Sequence, residues 1–86
     1  MNPLGLQERA PAGALTDYDR EHAALYLRLL DADAAHADWR EVAQIVMRLD
    51  VDRDVERARL MHATHLARAH WLRDEGYQDL LRSRGS

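Results

Sequence analysis

The sequence predicts a small all-α domain of four helices. Apolar residues recur at helical spacing in three stretches, capping residues precede those stretches, and the runs of β-branched residues typical of strands are absent. The length of 86 residues suits one domain. Neither a signal peptide nor an apolar run long enough to cross a bilayer is evident, so we expect a cytoplasmic protein without membrane contact.

The first helix is predicted to begin near Thr16 or Asp17. Residues 1–15 contain both prolines and two of the four glycines, which indicates a flexible N-terminal segment. Thr16 and Asp19 have the spacing of a capping box, and the helix should fade over residues 31–35. The residues that share its apolar stripe are Tyr18, His22, Leu25, Tyr26, Leu29 and Leu30.

The second helix is predicted over Trp39–Arg48. Asp38 and Glu41 again have capping-box spacing, and the apolar residues that follow recur with a helical period. Residues 49–54 interrupt the pattern with three aspartates at alternate positions, which suits a turn. Asp52 or Asp54 should cap the next helix.

The third helix is predicted to be the longest, over Val55–Glu75, with Gly76 as its C′ residue. It is apolar around most of its circumference, so it must either lie at the centre of the fold or be covered by a partner. A short helix over Tyr77–Arg82 should close a domain that spans residues 16–82, leaving residues 83–86 as a tail.

The residue types argue against catalysis and against bound cofactors. The chain has no cysteine, and its two serines fall in the predicted tail, so nucleophiles and thiolate metal ligands are missing. His62 and His65 share a helical face but lack the pattern of a zinc site, and partly buried structural histidines are the simpler interpretation. We expect no enzyme, no metal, no cofactor and no small-molecule ligand, since so short a chain leaves little room for a pocket.

Charge is distributed unevenly along the predicted helix-turn-helix pair. Residues 31–56 carry eight acidic residues and three arginines, a net charge of −5, whereas residues 57–86 carry +3. A negative segment at this junction repels a phosphate backbone. Four arginines remain as possible phosphate contacts: Arg57, Arg59, Arg68 and Arg73. The predicted acidic surface comprises Asp31, Asp33, Asp38, Asp50, Asp52, Asp54 and Glu56.

A family resemblance rests on five stretches within residues 17–82. They are Ala24–Asp31, Trp39–Ala43, Leu49–Asp50, His65–Leu72 and Gly76–Leu81. Together they resemble domain-of-unknown-function family 2285, which is found on integrative and conjugative elements of proteobacteria. The resemblance implies an extended-turn variant of the helix-turn-helix, in which one face binds DNA and the opposite face packs on a separate N-terminal domain.

The resemblance also implies two functions. Stand-alone members are antiactivators that bind the N-terminal domain of an FseA-type transcriptional activator. They thereby block quorum-sensing-linked activation of excision and conjugative transfer of a mobile element. Because the chain is short and acidic, we expect this protein-binding function and no binding to DNA. The alternative is a small DNA-binding helix-turn-helix transcription factor.

The partner-binding residues are predicted among the apolar positions that exceed what a small core needs. A domain that normally packs on a neighbouring domain must expose an apolar face when that neighbour is absent. Each such residue is also a candidate for ordinary core packing. The predicted partner contacts are Tyr26, Leu27, Leu60, Ala63, Ala67 and Trp71.

Overall fold

The computed structural model describes residues 3–76, which form four α-helices and one π-helical turn. The helices are α1 (Asp17–Glu21), α2 (Ala23–Ala34), α3 (Trp39–Ile45) and α4 (Val55–Trp71), and the π-helical turn spans Leu72–Gly76. This range contains no strand, which confirms the all-α fold class. Within it, no helix has the length and apolarity needed to cross a membrane.

The predicted first helix is divided into α1 and α2. Thr16 is the N-cap, and the capping box forms: its hydroxyl accepts the Asp19 N–H, and the Asp19 carboxylate accepts the Thr16 N–H. The helix breaks at His22, which has φ −108° and ψ 20°. The imidazole Nδ1 of His22 lies 2.9 Å from the Tyr18 carbonyl oxygen, which also accepts the His22 backbone N–H. The side chain therefore shares an acceptor that a continuous helix reserves for the backbone.

α2 ends in a Schellman motif without glycine. The Ala37 N–H donates to the Ala32 carbonyl and the His36 N–H donates to the Asp33 carbonyl, and each N···O distance is 3.0 Å. His36 occupies the left-handed position with φ 58°, where glycine is the usual residue.

α3 is shorter than predicted because the chain leaves the helix after Ile45. Asp38 is the N-cap, but its side chain makes no capping hydrogen bond, so the expected capping box is absent. Hydrogen bonds with a larger sequence separation than in an α-helix close the end of the helix. They run from Met47 N–H to the Val42 carbonyl and from Leu49 N–H to the Ala43 carbonyl. Arg48 lies between these two donors with φ 58°.

α4 begins as predicted and packs against both α2 and α3. The Asp54 carboxylate caps it by accepting the Arg57 N–H over 3.1 Å. The helix ends at Trp71 rather than Glu75, because the next residues adopt the π-helical turn. The helix predicted over Tyr77–Arg82 and the tail at 83–86 lie outside the described residues.

Two groups of buried side chains form the core. The larger joins the N-terminal segment, α2, α3 and α4, and the smaller fixes the connection between α3 and α4. The first group is Leu6, Leu25, Tyr26, Leu29, Val42, Met47, Met61 and Ala69; the second is Ala43, Val51 and Ala58.

Residues 3–15 contain no helix but contact α1 and α4 at several points. Leu6 is buried in the larger core group. The Gln7 N–H donates to the Tyr18 hydroxyl over 3.0 Å, and the Ala10 N–H donates to the Thr64 hydroxyl over 3.2 Å. The flexibility that the sequence predicts for this segment stays a prediction.

Candidate functional site

The two helices of the predicted helix-turn-helix pair, α3 and α4, are joined by a connection of residues 46–54 that is held against both of them. Val51 is buried between Ala43 of α3 and Ala58 of α4. The backbone turns where the Arg53 N–H donates to the Asp50 carbonyl. The connection is thus longer than the usual three or four residues of a helix-turn-helix. Its two buried apolar side chains, Met47 and Val51, anchor it in the core and fix the two helices relative to each other.

One face of α4 is open to solvent along the whole helix. The opposite face is buried through Ala58, Met61, His65 and Ala69, of which Ala58 packs against the α3–α4 connection. Charged side chains occupy the first turns of the open face, and the small side chains of Ala63 and Ala67 follow further along it. The exposed residues are Glu56, Arg57, Arg59, Ala63 and Ala67, with Leu60 and Trp71 half-buried beside them.

Trp39 brings two arginines of α3 and α4 together. The guanidinium carbon of Arg40 lies 5.6 Å from the centre of the Trp39 ring, and that of Arg59 lies 5.2 Å from it. Both distances are within the range of a cation–π contact. The imidazole of His62 lies next to the same ring, with 6.2 Å between ring centres. We call these four residues the Trp39 cluster; it holds two positive charges at the start of the helix pair.

Most arginines of α3, α4 and their connection have no close acidic partner. Arg68 of α4 is the exception and pairs with Asp19, while outside the helix pair Arg20 and Arg73 pair with Asp17 and Asp74. Arg57 approaches Glu8 only to 3.9 Å, with both side chains more than half exposed. Within residues 3–76, no ion pair engages the four other arginines of α3, α4 and their connection: Arg40, Arg48, Arg53 and Arg59. These side chains are available to an anionic partner.

A shallow groove runs along α4 beside the Trp39 cluster. It has a volume of about 620 Å³ and a mainly apolar lining. The exposed Ala63 and Ala67 form part of it, and a protonated His70 would pair with Asp33 at 2.9 Å. The full lining consists of Trp39, Arg59, His62, Ala63, Leu66, Ala67 and His70.

Two of the arginines that the sequence offered as phosphate contacts are engaged elsewhere. Arg68 is buried, and its guanidinium binds Asp19 and the carbonyl oxygens of Gly13 and Ala14. Arg73 binds Asp74. The expectation for Arg68 was wrong because a helical wheel shows the polarity of a residue but does not show what covers it.

The histidines with shifted pKa values have structural roles. His65 is fully buried, and its Nδ1 donates to the Met61 carbonyl over 2.7 Å, so Nε2 of the neutral ring accepts from the Tyr18 hydroxyl over 2.6 Å. Burial lowers the pKa of His65, and it also lowers the pKa of His62, which is less deeply buried. Among residues 3–76, no three potential ligands are grouped as a metal site would require.

The predicted partner contacts occupy two separate places. Tyr26 is only 3% exposed, and its hydroxyl donates to Asp19. Leu27 of α2 is 64% exposed, at the edge of an apolar groove of about 480 Å³. The four predicted contacts on α4 belong to its open face and are not part of that groove's lining, so the structure does not bring all six residues together.

The seven residues of the predicted acidic surface are all exposed. They do not form one patch around the start of α4, however. Asp33 pairs with His70 near the end of α4. Given the rise per residue of an α-helix, His70 lies about 20 Å from the first turn of α4. Asp54 uses its carboxylate to cap α4. The charge of residues 31–56, summed along the sequence, therefore overstates the negative charge near Arg59.

Sequence reasoning did not find the Trp39 cluster. The sequence places Trp39 at the start of the second helix, and it assigns no role to Arg40. The adjacency of Trp39 and Arg40 in the sequence is a weak indication, but the approach of Arg59 depends on how α3 packs against α4. Arg48 was missed for a similar reason, since nothing in the sequence marks its left-handed backbone conformation.

A helix pair with one exposed helix face, and with arginines that form no ion pair within residues 3–76, has features that helix-turn-helix DNA-binding domains share. The chain belongs to the family described as T6SS, transcription factor, DNA binding domain (RovC_DNA-bd), whose model matches residues 4–82. No curated protein matches the chain. The family is one of transcription-factor domains and not of enzymes.

This membership corrects two expectations. The family carries a different description from domain-of-unknown-function family 2285, to which the sequence was compared. The prediction that the chain does not bind DNA is wrong for a member of a DNA-binding family. The physical reason for the error is that charge was summed over a segment of sequence, whereas binding depends on which charged groups share a surface. The match also begins at residue 4, twelve residues before the predicted domain boundary.

Proposed function

We propose that this chain is a DNA-binding domain of a transcription regulator in which α3 and α4 form the helix-turn-helix and α4 enters the major groove. The observation that carries the proposal is the Trp39 cluster, which holds Arg40 and Arg59 against one indole ring without a carboxylate partner among residues 3–76. Membership in a DNA-binding family supports the same function.

The dimensions and chemistry of α4 suit this role. Its 17 residues extend over about 25 Å, and the major groove admits a single α-helix. Recognition helices contact bases through residues near their N-terminus, which assigns that role to Arg59. Ala63 lies one turn further along the exposed face, where a methyl group can contact a thymine methyl.

The remaining unpaired arginines suit phosphate contacts. Arg40 is at the start of α3, and Arg53 directly precedes the cap of α4. Phosphate contacts from residues flanking the recognition helix fix its register on the duplex but carry no sequence information. We therefore assign orientation to Arg40 and Arg53 and base contact to Arg59.

The test is fluorescence anisotropy with a labelled duplex of random sequence at low salt, where electrostatic binding is strongest. We expect saturable binding, and we expect Arg59→Gln to weaken it about five- to tenfold. Arg28→Gln is the matched control, since Arg28 is an exposed arginine on α2, outside the helix pair, and forms no ion pair within residues 3–76. If the wild-type chain fails to bind, or if both variants weaken binding equally, the proposed interface is wrong.

A second candidate function, the protein-binding antiactivator, is favoured by a different surface. The apolar groove between α1, α2 and α4 leaves Leu27 largely exposed, and a monomer gains nothing from such an apolar side chain in water. Its partner would be the N-terminal domain of an FseA-type activator. The DNA-binding face and this groove lie on different parts of the domain, so the two functions are compatible. The groove is lined by Leu15, Asp19, Arg20, Ala23, Tyr26, Leu27, Leu30, Ala69, Leu72 and Arg73.

An NMR titration of the isotope-labelled chain with that activator domain would test this second function. Leu27→Glu should abolish binding while leaving the fold intact, because the side chain is already in water. Ile45→Glu is the control: Ile45 is 74% exposed on α3 and lies outside the groove. An unchanged spectrum of the wild-type chain at high partner concentration would exclude the antiactivator function.

A further inference from the structure

A half-open cavity of about 540 Å³ lies between the N-terminal segment, the α3–α4 connection and the first turns of α4. This volume falls in the range of pockets that hold small molecules, contrary to the expectation that so short a chain leaves little room. The cavity belongs neither to the Trp39 cluster nor to the apolar groove beside Leu27. Its lining consists of Gly5, Leu6, Arg48, Leu49, Asp50, Arg53, Asp54, Arg57, Ala58 and Met61.

The rim of this cavity is cationic. Arg48, Arg53 and Arg57 line it, and the first two form no ion pair with any residue in the described range. Of the two aspartates in the lining, Asp54 already accepts a backbone N–H of α4. Glu8 approaches Arg57 to 3.9 Å, so Arg48 and Arg53 are the two guanidinium groups of the lining that no ion pair engages within residues 3–76, and they favour a bound anion.

The floor of the cavity is apolar. Leu6 and Met61 belong to the larger core group, and Ala58 belongs to the smaller one. Leu49 packs against both groups. A ligand that places a charge at the rim would therefore bring an uncharged, apolar body against these side chains. This combination separates the cavity from a simple phosphate contact, because a DNA backbone has no apolar body to insert.

The backbone at the rim adds an independent observation. Arg48 adopts φ 58°, a conformation that favours glycine, yet it carries a long cationic side chain. The hydrogen bond from Leu49 N–H to the Ala43 carbonyl and the buried Val51 hold the connection in this shape. Residues kept in such conformations cluster at ligand-binding positions.

From this geometry we propose that the cavity binds a small amphipathic anion: one carboxylate or phosphate held by Arg48, Arg53 and Arg57, with a compact apolar body against Leu49 and Met61. The cavity contacts the connection between α3 and α4, so an occupant would stabilise one arrangement of the helix pair. The binding step itself does not depend on whether the domain binds DNA.

The probe is phenyl phosphate, and its binding is detected by two-dimensional NMR of the full chain labelled with ¹⁵N. We expect saturable shifts of the amides of residues 48–57, with a dissociation constant of about 1 mM or below. Inorganic phosphate, which lacks the apolar body, and benzyl alcohol, which lacks the charge, should each bind about tenfold more weakly or not at all. No DNA is present, so this result is independent of the DNA-binding test.

Two variants connect binding to the cavity. Arg48→Gly removes a cation at a position whose backbone suits glycine, so the fold is retained while affinity for phenyl phosphate should fall at least fivefold. Arg53→Gln should have a similar effect, and Arg28→Gln, outside the cavity, should have none. The proposal is overturned by a lack of saturable shifts at 10 mM phenyl phosphate, or about ten times the expected constant. Equal affinity for inorganic phosphate, or unchanged affinity in both rim variants, would overturn it as well.

Discussion

Arg68 binds Asp19 through two hydrogen bonds in the interior of the domain, although 49 residues separate them in the sequence. The Nε–Oδ1 and Nη2–Oδ2 distances are 3.1 and 2.7 Å, and the side chains are only 5% and 1% exposed. Two further guanidinium N–H groups donate to the carbonyl oxygens of Gly13 and Ala14. Tyr26 donates its hydroxyl hydrogen to the same carboxylate. One ion pair thus joins the N-terminal segment, α1, α2 and α4.

Removing the charge of Asp19 should destabilise the domain strongly. Asp19→Asn leaves the guanidinium of Arg68 buried without a counter-ion, a situation that costs about 3–5 kcal/mol. A domain of this size has a total stability of only about 5–10 kcal/mol, so the variant should lose a large fraction of its stability. Urea unfolding followed by circular dichroism would measure the loss.

Two further variants separate this effect from a general loss of charge. Asp17→Asn removes the exposed partner of Arg20 and should change stability by less than about 0.5 kcal/mol. Asp19→Leu with Arg68→Met removes both buried charges and should be less destabilised than the sum of the single variants. Additive effects in this pair would show that the two side chains do not stabilise each other.

Acid should destabilise the domain in two stages. Burial by itself raises the pKa of Asp19, but hydrogen bonds from Arg68, Thr16 and Tyr26 outweigh it and hold the pKa at about 2. The pKa of His65 is lowered from 6.5, chiefly by burial. As the pH falls below about 6.5, the unfolded chain takes up a proton at His65 that the folded chain does not, so stability falls. A second loss, of about 2 kcal/mol, follows between about pH 4 and pH 2 as Asp19 is protonated.

Unfolding free energies measured from pH 8 to pH 3 would show the first stage and the beginning of the second. His65→Gln should remove most of the first stage and keep the second. His62, whose pKa burial also lowers, contributes in the same direction, so His62→Gln should diminish the first stage by a smaller amount. Stability that rises as the pH falls from 7 to 5 would contradict the buried neutral state of His65.

Replacing His36 with glycine should stabilise the protein. His36 ends α2 with φ 58°, a conformation that costs a non-glycine residue about 1 kcal/mol. His36→Gly should therefore raise the unfolding free energy by a few tenths to about 1 kcal/mol. Ala34→Gly, inside the last turn of α2, should lower it by a similar amount. A thermal or urea unfolding series of the three proteins compares them directly, and equal effects of the two glycines would rule out this explanation.

Trp39 should affect DNA binding through the arginines that it positions. Trp39→Leu removes two cation–π contacts of about 0.5–1 kcal/mol each, and we expect affinity for duplex DNA to fall about three- to tenfold. If Arg40 and Arg59 then lose their phosphate or base contacts, the slope of log affinity against log salt should also diminish by about one. Arg28→Gln is again the control, since Arg28 lies on α2, outside the helix pair. A full salt slope in Trp39→Leu would indicate a packing role alone.

The sequence predicted those parts of the fold that depend on local chemistry. The Thr16 cap, a cap of α4 at Asp52 or Asp54, and the approximate positions of the helices follow from hydrogen bonds and periodicity within a few residues. The break at His22 and the left-handed His36 and Arg48 were not predicted, because the residues there are not those that usually mark such features. The candidate site was predicted least well, because Arg40 and Arg59 meet only after α3 has packed against α4.

The predicted role of Leu27 and the fate of Arg68 show the same limit. Both lie on amphipathic helices, and a helical wheel places both away from the main apolar stripe. The structure leaves Leu27 exposed and buries Arg68, because Asp19 and two carbonyl groups of the N-terminal segment are close enough to satisfy the guanidinium. Which polar residue finds buried partners is a property of the tertiary arrangement.

The contacts of Arg68 with Gly13 and Ala14 determine how much chain the folding unit requires. A fragment that begins at Thr16 keeps every helix of the described range, yet it lacks both carbonyl acceptors and the buried Leu6. The guanidinium of Arg68 would then lack two of its hydrogen-bond acceptors in a largely apolar environment, which costs free energy. The minimal autonomous unit is therefore expected to start well before its first helix, at a boundary set by the hydrogen-bonding needs of one arginine.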